Sequence, residues 1–149
     1  MIYLGADHGG FALKEHLKTV LKKNNLEYVD LGATVFDPED DYPDYAFLVA
    51  KAVAQAPGER RGVLCCRSAA GVVIAANKVI GIRAVAPLSV EAAQHAREHN
   101  DANVIGLSGD WLNESQASAI MDKFLATPFS NEARHIRRLQ KITQFEQQV

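Results

Sequence analysis

The chain has 149 residues, of which 48% are hydrophobic and 23% are charged, and its formal net charge is −2. These values are typical of a globular protein that is long enough to bury a full core. They exclude a generally basic nucleic-acid binder, and no apolar run has the length of a membrane span.

The first predicted unit is a strand, a loop and a helix in direct succession. Residues 2–6 form the short apolar strand, which places Asp7 and His8 at its carboxyl end. Asp7 either caps the helix or contacts a ligand, and His8 is either an exposed loop residue or part of the same site. Gly9 and Gly10 carry no side-chain bulk, so we expect them to admit a ligand close to the backbone. The helix that follows has apolar residues at helical spacing: Leu13, Leu17, Val20 and Leu21.

The second predicted unit begins with a strand at residues 27–31 and continues through a polar loop into a helix. The acidic run at residues 37–41 of that loop is interpreted as solvent-exposed. Asp44 is the predicted N-cap of the helix, and Tyr42 and Tyr45 beside it either pack or contact a ligand. The apolar residues of this helix repeat at helical spacing: Leu48, Val49, Ala52 and Val53.

The central unit contains the strongest candidate for chemistry. Residues 62–66 are an apolar strand, residues 67–71 a tight loop and residues 72–77 a helix. In a parallel α/β sheet such a junction lies at the carboxyl end of a strand, where loop N–H groups and a helix N-terminus bind anions. Cys66, the last strand residue, is either a base or nucleophile whose thiolate the helix dipole favours, or a packing residue. Cys65 points to the opposite face of the strand and is predicted to pack.

The fourth predicted strand, residues 82–86, leads into a helix that Ser89 caps and that runs through Glu98. His95 and His99 lie one turn apart on this helix, a spacing that two metal ligands can use. No acidic or histidine partner stands at a supporting spacing, so we predict no metal there. The simpler role for His99 is a favourable interaction with the C-terminus of the helix.

The last predicted strand, residues 103–107, precedes a helix with a capping box of Asn113 and Gln116. A final helix from Ser130 exceeds what the sheet needs, and its apolar stripe is predicted to pack on a second subunit. Its other side is basic and forms either a solvated face or a phosphate clamp. The basic side consists of Arg134, His135, Arg137, Arg138 and Lys141.

The five strands alternate with helices, which predicts a single doubly wound α/β domain over residues 1–149. Six motifs stand in order along the whole chain: Gly5-Ala-Asp-His-Gly-Gly-Phe11, Asp41-Tyr-Pro-Asp-Tyr-Ala46, Ile74-Ala-Ala-Asn-Lys78, Gly81-Ile-Arg-Ala84, Arg97-Glu-His-Asn-Asp101, and Arg134-His135 with Arg138. With these motifs the sequence resembles the family of sugar-phosphate isomerases that includes ribose-5-phosphate isomerase B and the galactose-6-phosphate isomerase subunits.

The resemblance implies a Rossmann-like three-layer α/β/α sandwich with a five-stranded parallel sheet and an extra C-terminal helix. It implies a homodimer or a dimer of dimers with active sites shared between subunits, and no metal or organic cofactor. The implied reaction interconverts ribose 5-phosphate and ribulose 5-phosphate through an enediolate. Two alternatives stay open: isomerisation of another pentose or hexose phosphate, such as allose or galactose 6-phosphate, and non-catalytic sugar-phosphate binding.

We expect a cytoplasmic location and no nucleic-acid or membrane partner. The chain begins without the basic and apolar regions of a signal peptide. Its two cysteines are adjacent and cannot form a disulfide framework, which favours a reducing compartment.

The family's site residues carry over to matching positions of this sequence. Cys66, His99 and Asp7 are the implied catalytic residues: Cys66 matches the base that moves a proton between C2 and C1, and His99, from the partner subunit, matches the ring-opening acid. The loop that matches the anion hole consists of Arg67, Ser68, Ala69, Ala70 and Gly71. The positions that match substrate contacts are Asp7 and Asn100 at the sugar hydroxyls, His8, Arg134 and Arg138 at the phosphate, and Tyr42 nearby.

Two departures from the family pattern concern the same site. The family loop after the cysteine is commonly Gly-Thr/Ser-Gly-x-Gly, whereas here it is Arg67-Ser68-Ala69-Ala70-Gly71, with a bulky arginine directly after the base. Alanine takes positive φ angles less readily than glycine, which affects the anion hole. Asp110 stands where many members carry an arginine that contacts phosphate. We hypothesise that Arg67 supplies part of the missing charge or pairs with Asp110.

Overall fold

A five-stranded parallel sheet forms the centre of the molecule, and helices cover both of its faces. The computed structural model describes residues 1–148. The strands are β1 (Ile2–Ala6), β2 (Tyr28–Asp30), β3 (Arg61–Cys66), β4 (Ala84–Val85) and β5 (Val104–Ser108). Their order across the sheet is β2-β1-β3-β5-β4. The predicted Rossmann-like three-layer sandwich is thereby confirmed.

Helices connect the strands and extend beyond the last one. The helices are α1 (Phe11–Lys23), α2 (Tyr42–Ala54), α3 (Ala70–Ala76), α4 (Val90–Asn100), α5 (Glu114–Ala126) and α6 (Ala133–Glu146). A single 3₁₀ turn, His8–Gly10, precedes α1. The predicted caps form: the Ser89 hydroxyl accepts the Ala92 N–H at 3.1 Å, and Asn113 and Gln116 make the capping box of α5.

Several element boundaries differ from the prediction, and those of α2, α4 and β4 have a clear physical reason or consequence. Asp41 is the N-cap of α2, so Asp44 lies in the first turn of that helix, where its negative charge still interacts favourably with the helix dipole. The helix α4 extends to Asn100, beyond its predicted end. The strand β4 is short because the Arg83 N–H donates to the side chain of Asn103 at 2.9 Å instead of to a neighbouring strand.

Two apolar clusters lie on opposite faces of the sheet. Helices α1, α4 and α5 contribute to one cluster, and α2 and α3 contribute to the other. Cys65 belongs to the first cluster and Cys66 to the second, so the adjacent cysteine side chains point apart as predicted. Within residues 1–148, no helix combines the length and the apolar character needed to cross a membrane.

The parallel topology places the side chains of the loops at two opposite ends of the strands. We term the side with the carboxyl ends the carboxyl edge and the side with the amino ends the amino edge. The carboxyl ends of β1, β3 and β5 lie side by side, since Ala6 pairs with Cys65 and Cys66 pairs with Ser108. Helix α4 returns the chain from the carboxyl end of β4 to the amino end of β5, so its last turn lies at the opposite, amino edge. The segment before α6 joins it there, because the Ser130 N–H donates to the Glu98 carbonyl at 3.1 Å.

Candidate active site

The loop after β3 is held in place by the chain that follows β5. The N–H of Gly109 donates to the carbonyl of Cys66 at 2.9 Å, and the N–H of Asp110 donates to the carbonyl of Arg67 at 3.1 Å. The Ser108 hydroxyl donates to the same Arg67 carbonyl. These hydrogen bonds within the protein fix the backbone next to Cys66 without the help of a ligand. An anion hole requires this kind of preorganisation.

Cys66 ends β3 with only 5% of its surface exposed. Its Sγ accepts a hydrogen bond from the Ala69 N–H at 3.1 Å. Burial raises the pKa of the Cys66 thiol, and the N–H groups of Ser68, Ala69 and Val72 lower it by a smaller amount. The charge of Asp7 also raises the pKa of this thiol, so the net pKa is raised although the loop N–H groups favour the thiolate as predicted. Cys65 is fully buried, as a packing residue should be, and burial raises its pKa as well.

Ala69 adopts the left-handed backbone conformation that the sequence made questionable for alanine. Its φ is 65° and its ψ is −12°, and it is the N-cap of α3. A residue with a Cβ costs about 1–2 kcal/mol in this region. The alanine therefore strains the loop without preventing it from forming, and the same conformation directs the Ala69 N–H at Cys66.

Gly9 and Gly10 make room for the protein itself, and the prediction that they also admit a ligand close to the backbone stays a prediction. A Cβ on Gly10 would lie 2.2 Å from the carbonyl atoms of Cys65, and a Cβ on Gly9 would lie 2.7 Å from Cγ of Arg67. The two glycines thus let the 3₁₀ turn pack against the end of β3 and under Arg67. Asp7 caps this turn by accepting the Gly10 N–H at 3.1 Å, and burial raises the pKa of its carboxyl.

His8 has a partner that the sequence did not reveal. Asp40 lies 32 residues further along the chain, and its Oδ1 accepts the His8 N–H at 2.9 Å and contacts the ring nitrogen Nδ1 at 2.7 Å. The Asp40 side chain is only 7% exposed, although it belongs to the acidic run interpreted as solvated. No local pattern indicates this contact, because it depends on where the loop before α2 folds back over β1.

Tyr42, the first residue of α2, covers the start of α3. A Cβ on Gly71 would lie 2.7 Å from the Tyr42 ring, so the ring rests directly on the Gly71 backbone. Tyr42 is 39% exposed, so its ring is in part accessible to solvent. Tyr45 is half-buried, and both burial and the Asp40 carboxylate raise its pKa. Of the two tyrosines, Tyr42 is therefore the one placed at the candidate anion loop.

Arg67 presents its side chain at the surface of this edge. Among the residues that the structure describes, no ion pair joins it to Asp110. The two residues meet through their backbones instead, by the hydrogen bond from the Asp110 N–H. The pairing that we hypothesised is not present, whereas a supply of positive charge by Arg67 stays a prediction.

Histidines stack at the amino edge. The His99 ring lies between those of His95 and His135, with ring centroids 3.9 and 4.3 Å away. The Ser130 hydroxyl contacts Nδ1 of His135 at 2.8 Å. His135 is only 2% exposed, which corrects its predicted place on the basic face of α6. His135 and Leu139 are four residues apart, which places them on the same face of a helix. This spacing is the sequence feature that indicates burial of His135.

The remaining predicted residues of this edge are exposed. Arg134 pairs with Glu132 at 2.8 Å, and the two side chains are 57% and 50% exposed. Arg138 and Asn100 are also exposed. Burial lowers the pKa of the neighbouring His135, and the charge of His99 lowers it further. The amino edge therefore offers cations and imidazole groups to solvent or to a second chain.

Residues 2–142 match the Ribose/Galactose Isomerase family over nearly the whole chain. The chain belongs to this family. It is 41% identical over 148 residues to the probable ribose-5-phosphate isomerase B of Mycoplasma genitalium, covering 99% of this chain and 97% of the relative. It is 41% identical over 145 residues to ribose-5-phosphate isomerase B of Mycobacterium tuberculosis, covering 97% of this chain and 89% of the relative.

Solved structures show the same relationship to the Ribose/Galactose Isomerase family. The crystal structure of ribose-5-phosphate isomerase B from Mycoplasma genitalium with bound ribulose-5-phosphate has a TM-score of 0.95 at 40% identity, over 99% of this chain and 97% of that one. The enzyme of this type from Clostridium thermocellum has a TM-score of 0.93 at 38% identity, over 99% and 97% of the two chains. The predicted family is confirmed.

In this member of the family, the predicted site residues form two groups that do not meet. The carboxyl-edge group contains Asp7, His8, Tyr42, Cys66 and residues 67–71. The amino-edge group contains His99, Asn100, Arg134 and Arg138. The parallel strands separate the two edges, and among residues 1–148 no side-chain hydrogen bond or ion pair links the groups.

Three polar side chains lie close together at the carboxyl edge, since one nitrogen or oxygen atom each of Asp7, His8 and Asp40 lies within 4.8 Å of the other two. One of these contacts is the hydrogen bond between Nδ1 of His8 and Oδ1 of Asp40. His8 and Asp40 therefore form a bonded histidine–carboxylate pair, and Asp7 lies beside it. The prediction of no metal stays a prediction.

Proposed function

We propose that this chain is an aldose-ketose isomerase that interconverts ribose 5-phosphate and ribulose 5-phosphate through an enediolate. The observation that carries the proposal is the position of Cys66 Sγ, 3.1 Å from the Ala69 N–H in a loop of the Ribose/Galactose Isomerase fold. The relative from Mycoplasma genitalium, whose structure contains bound ribulose-5-phosphate, supports the choice of substrate.

In the proposed reaction, Cys66 acts as the base. Its thiolate takes the proton from C2 of the open-chain aldose, and the electron pair of that C–H bond forms the C1=C2 bond of the enediolate while the aldehyde oxygen O1 gains the negative charge. The O2 proton then passes to O1, and the Cys66 thiol returns its proton to C1 to give the ketose. The N–H groups of residues 67–71 stabilise the negative charge that develops on the substrate oxygen. Burial, which raises the pKa of the Cys66 thiol, makes the thiolate scarcer at neutral pH and also a stronger base once it forms.

The other carboxyl-edge residues are proposed to hold the substrate. Asp7 faces the sugar hydroxyls from the end of β1, and His8 faces the phosphate. Tyr42 covers one side of the anion loop, where its ring already contacts the backbone of Gly71. The exposed Arg67 adds positive charge next to the base.

A second copy of the chain completes the site in this proposal. His99, Asn100, Arg134 and Arg138 lie at the amino edge, where they cannot reach Cys66 of the same subunit. Placed by a partner, His99 opens the furanose ring and the arginines bind the phosphate. A homodimer, or a dimer of dimers, provides this arrangement, and the exposed apolar side chains of α6 support it. These side chains are Ile136, Ile142 and Phe145.

We also propose that residues 1–149 form one sugar-phosphate isomerase domain, that it acts in the cytoplasm in pentose phosphate metabolism, and that it needs no metal or organic cofactor. The second candidate is an isomerase of another pentose or hexose phosphate, such as allose or galactose 6-phosphate. The changed loop at Arg67, Ala69 and Ala70 is the observation that favours it.

The test is conversion of ribose 5-phosphate by the purified chain in the presence of a chelator, with allose and galactose 6-phosphates assayed in parallel. We expect turnover of the pentose phosphate, lost in Cys66→Ala and retained in Cys65→Ala, which removes the neighbouring buried thiol. Turnover of only a hexose phosphate would select the second candidate. Binding of a sugar phosphate without turnover of any of the three would indicate a non-catalytic binding protein. Full activity of Cys66→Ala would show that Cys66 is not the base.

A further inference from the structure

The contact between Asp40 and His8 is unusual for an acidic surface loop. One carboxylate oxygen of Asp40, Oδ1, makes two contacts with His8. It accepts the backbone N–H of His8 at 2.9 Å, and it lies 2.7 Å from the ring nitrogen Nδ1. The second oxygen, Oδ2, is buried and makes no hydrogen bond of good geometry within residues 1–148, and the Tyr45 hydroxyl is the further titratable group that faces this carboxylate. A buried polar atom without a hydrogen bond is destabilising, which partly offsets the two contacts that Oδ1 makes with His8.

The geometry fixes both the position and the protonation of the imidazole. Because Nδ1 faces a carboxylate, it carries a proton, and Nε2 points away from Asp40. The hydrogen bond to Asp40 raises the pKa of His8, and the charge of Asp7 raises it further, while burial and the neighbouring Arg67 lower it. The net effect is a raised pKa of His8, the direction that favours its imidazolium form.

We propose that Asp40 is a positioning residue that acts through His8, holding an imidazolium with its Nε2–H directed at the phosphate of the substrate. The proposal rests on the proposed function, in which His8 lies at the phosphate end. Asp40 itself touches no substrate. Its part is to supply the orientation and the charge that make His8 a strong phosphate donor, since hydrogen bonds between ionised groups are roughly twice as strong as neutral ones.

The direct test is an NMR titration of the His8 ring in the substrate-free protein. We expect His8 of the wild type to titrate above the ordinary histidine value of about 6.5, and to titrate closer to that value in Asp40→Asn. The matched control is Asp41→Asn, an identical change at an exposed neighbour that makes no side-chain cap hydrogen bond. This control should leave the His8 titration unchanged.

The kinetic test separates a positioning role from a general loss of structure. In Asp40→Asn we expect KM for the sugar phosphate to rise about tenfold at pH 7.5, with kcat changed about twofold or less. The ratio of variant to wild-type KM should shrink below pH 6, where His8 becomes protonated without help. In a His8→Asn background, adding Asp40→Asn should have no further effect on KM, because Asp40 then has no ring to orient.

The two proposals fail in different ways. If the wild type turns over no sugar phosphate, the proposed function is wrong, while the titration still reports on the pair. If the wild type is active and Asp40→Asn leaves KM unchanged, or acts equally in the His8→Asn background, the inference about Asp40 is overturned. A wild-type His8 that titrates below the ordinary value would also overturn it, even if Asp40→Asn did not fold.

Discussion

The backbone N–H of Ala69 donates a hydrogen bond to Sγ of Cys66 across 3.1 Å. The donor belongs to a residue in the left-handed region, with φ at 65°. The left-handed conformation of Ala69 is therefore also the one that directs a hydrogen bond to the Cys66 sulfur. A change that relaxes the strain without moving the N–H should preserve the contact, and a change that moves the loop should break it.

Replacing Ala69 with glycine should stabilise the protein or leave its stability unchanged. Glycine removes about 1–2 kcal/mol of left-handed strain, which offsets the loss of about 0.8 kcal/mol from one buried methyl group. Ala70→Gly is the matched control, because Ala70 begins α3 with helical backbone, and there we expect a loss of about 0.5–1 kcal/mol. Urea unfolding of both variants measures the free energy of unfolding. A larger decrease in Ala69→Gly than in Ala70→Gly would show that the Ala69 backbone is not strained.

The reactivity of Cys66 should increase with pH over an unusually alkaline range. Burial raises the pKa of its thiol, so the thiolate fraction at neutral pH should be smaller than for a free cysteine of pKa about 8.5. The measurement is the rate of iodoacetamide alkylation against pH in a Cys65→Ala background. A midpoint below about 8.5 would mean that the loop N–H groups outweigh burial.

A methyl group on Gly71 should displace the Tyr42 ring. The added Cβ would lie 2.7 Å from that ring, and because the ring is partly exposed it can swing outwards. We expect kcat/KM to fall about tenfold with little change in the midpoint of thermal unfolding. Gly58→Ala is the control, since a Cβ there meets nothing within 4 Å. Equal activity of the two variants would show that Tyr42 does not contribute to the site.

Loss of the Arg67 side chain should weaken phosphate binding. Arg67→Ala removes an exposed cation beside the loop, so we expect KM for the sugar phosphate to rise about threefold to tenfold at low ionic strength, with a smaller change in high salt. Lys23→Ala removes another exposed positive charge, at the end of α1, and should leave KM unchanged. An unchanged KM in Arg67→Ala would rule out the compensating charge.

Two inactive variants should restore activity when they are co-expressed. Cys66→Ala and His99→Asn each remove one edge of the proposed shared site, and a mixed dimer contains one site with both wild-type residues. Random pairing makes half of the dimers mixed, so we expect about a quarter of the wild-type activity. Absence of any recovery would mean that Cys66 and His99 act within one subunit.

The loops at the carboxyl ends of β1 and β3 were predictable because strand and helix periodicity are local properties. Apolar runs before Asp7 and after Arg61 located those strands, and the turn residues between strand and helix then located the candidate base. The bounds of β4 were less predictable, since an interaction between Arg83 and the Asn103 side chain shortens that strand. Side-chain hydrogen bonds of this kind have no periodic signature.

The sequence by itself determined the sheet, the family and the placement of Cys66 at the end of a central strand, because these follow from local periodicity and from ordered motifs. Only the tertiary structure showed that Asp40 reaches His8, that Ala69 takes a left-handed conformation, and that His99 lies at the far edge from Cys66. Contacts between residues distant in sequence depend on how loops fold over a finished sheet. A local pattern fixes the direction of a strand but not the partner that packs against its end.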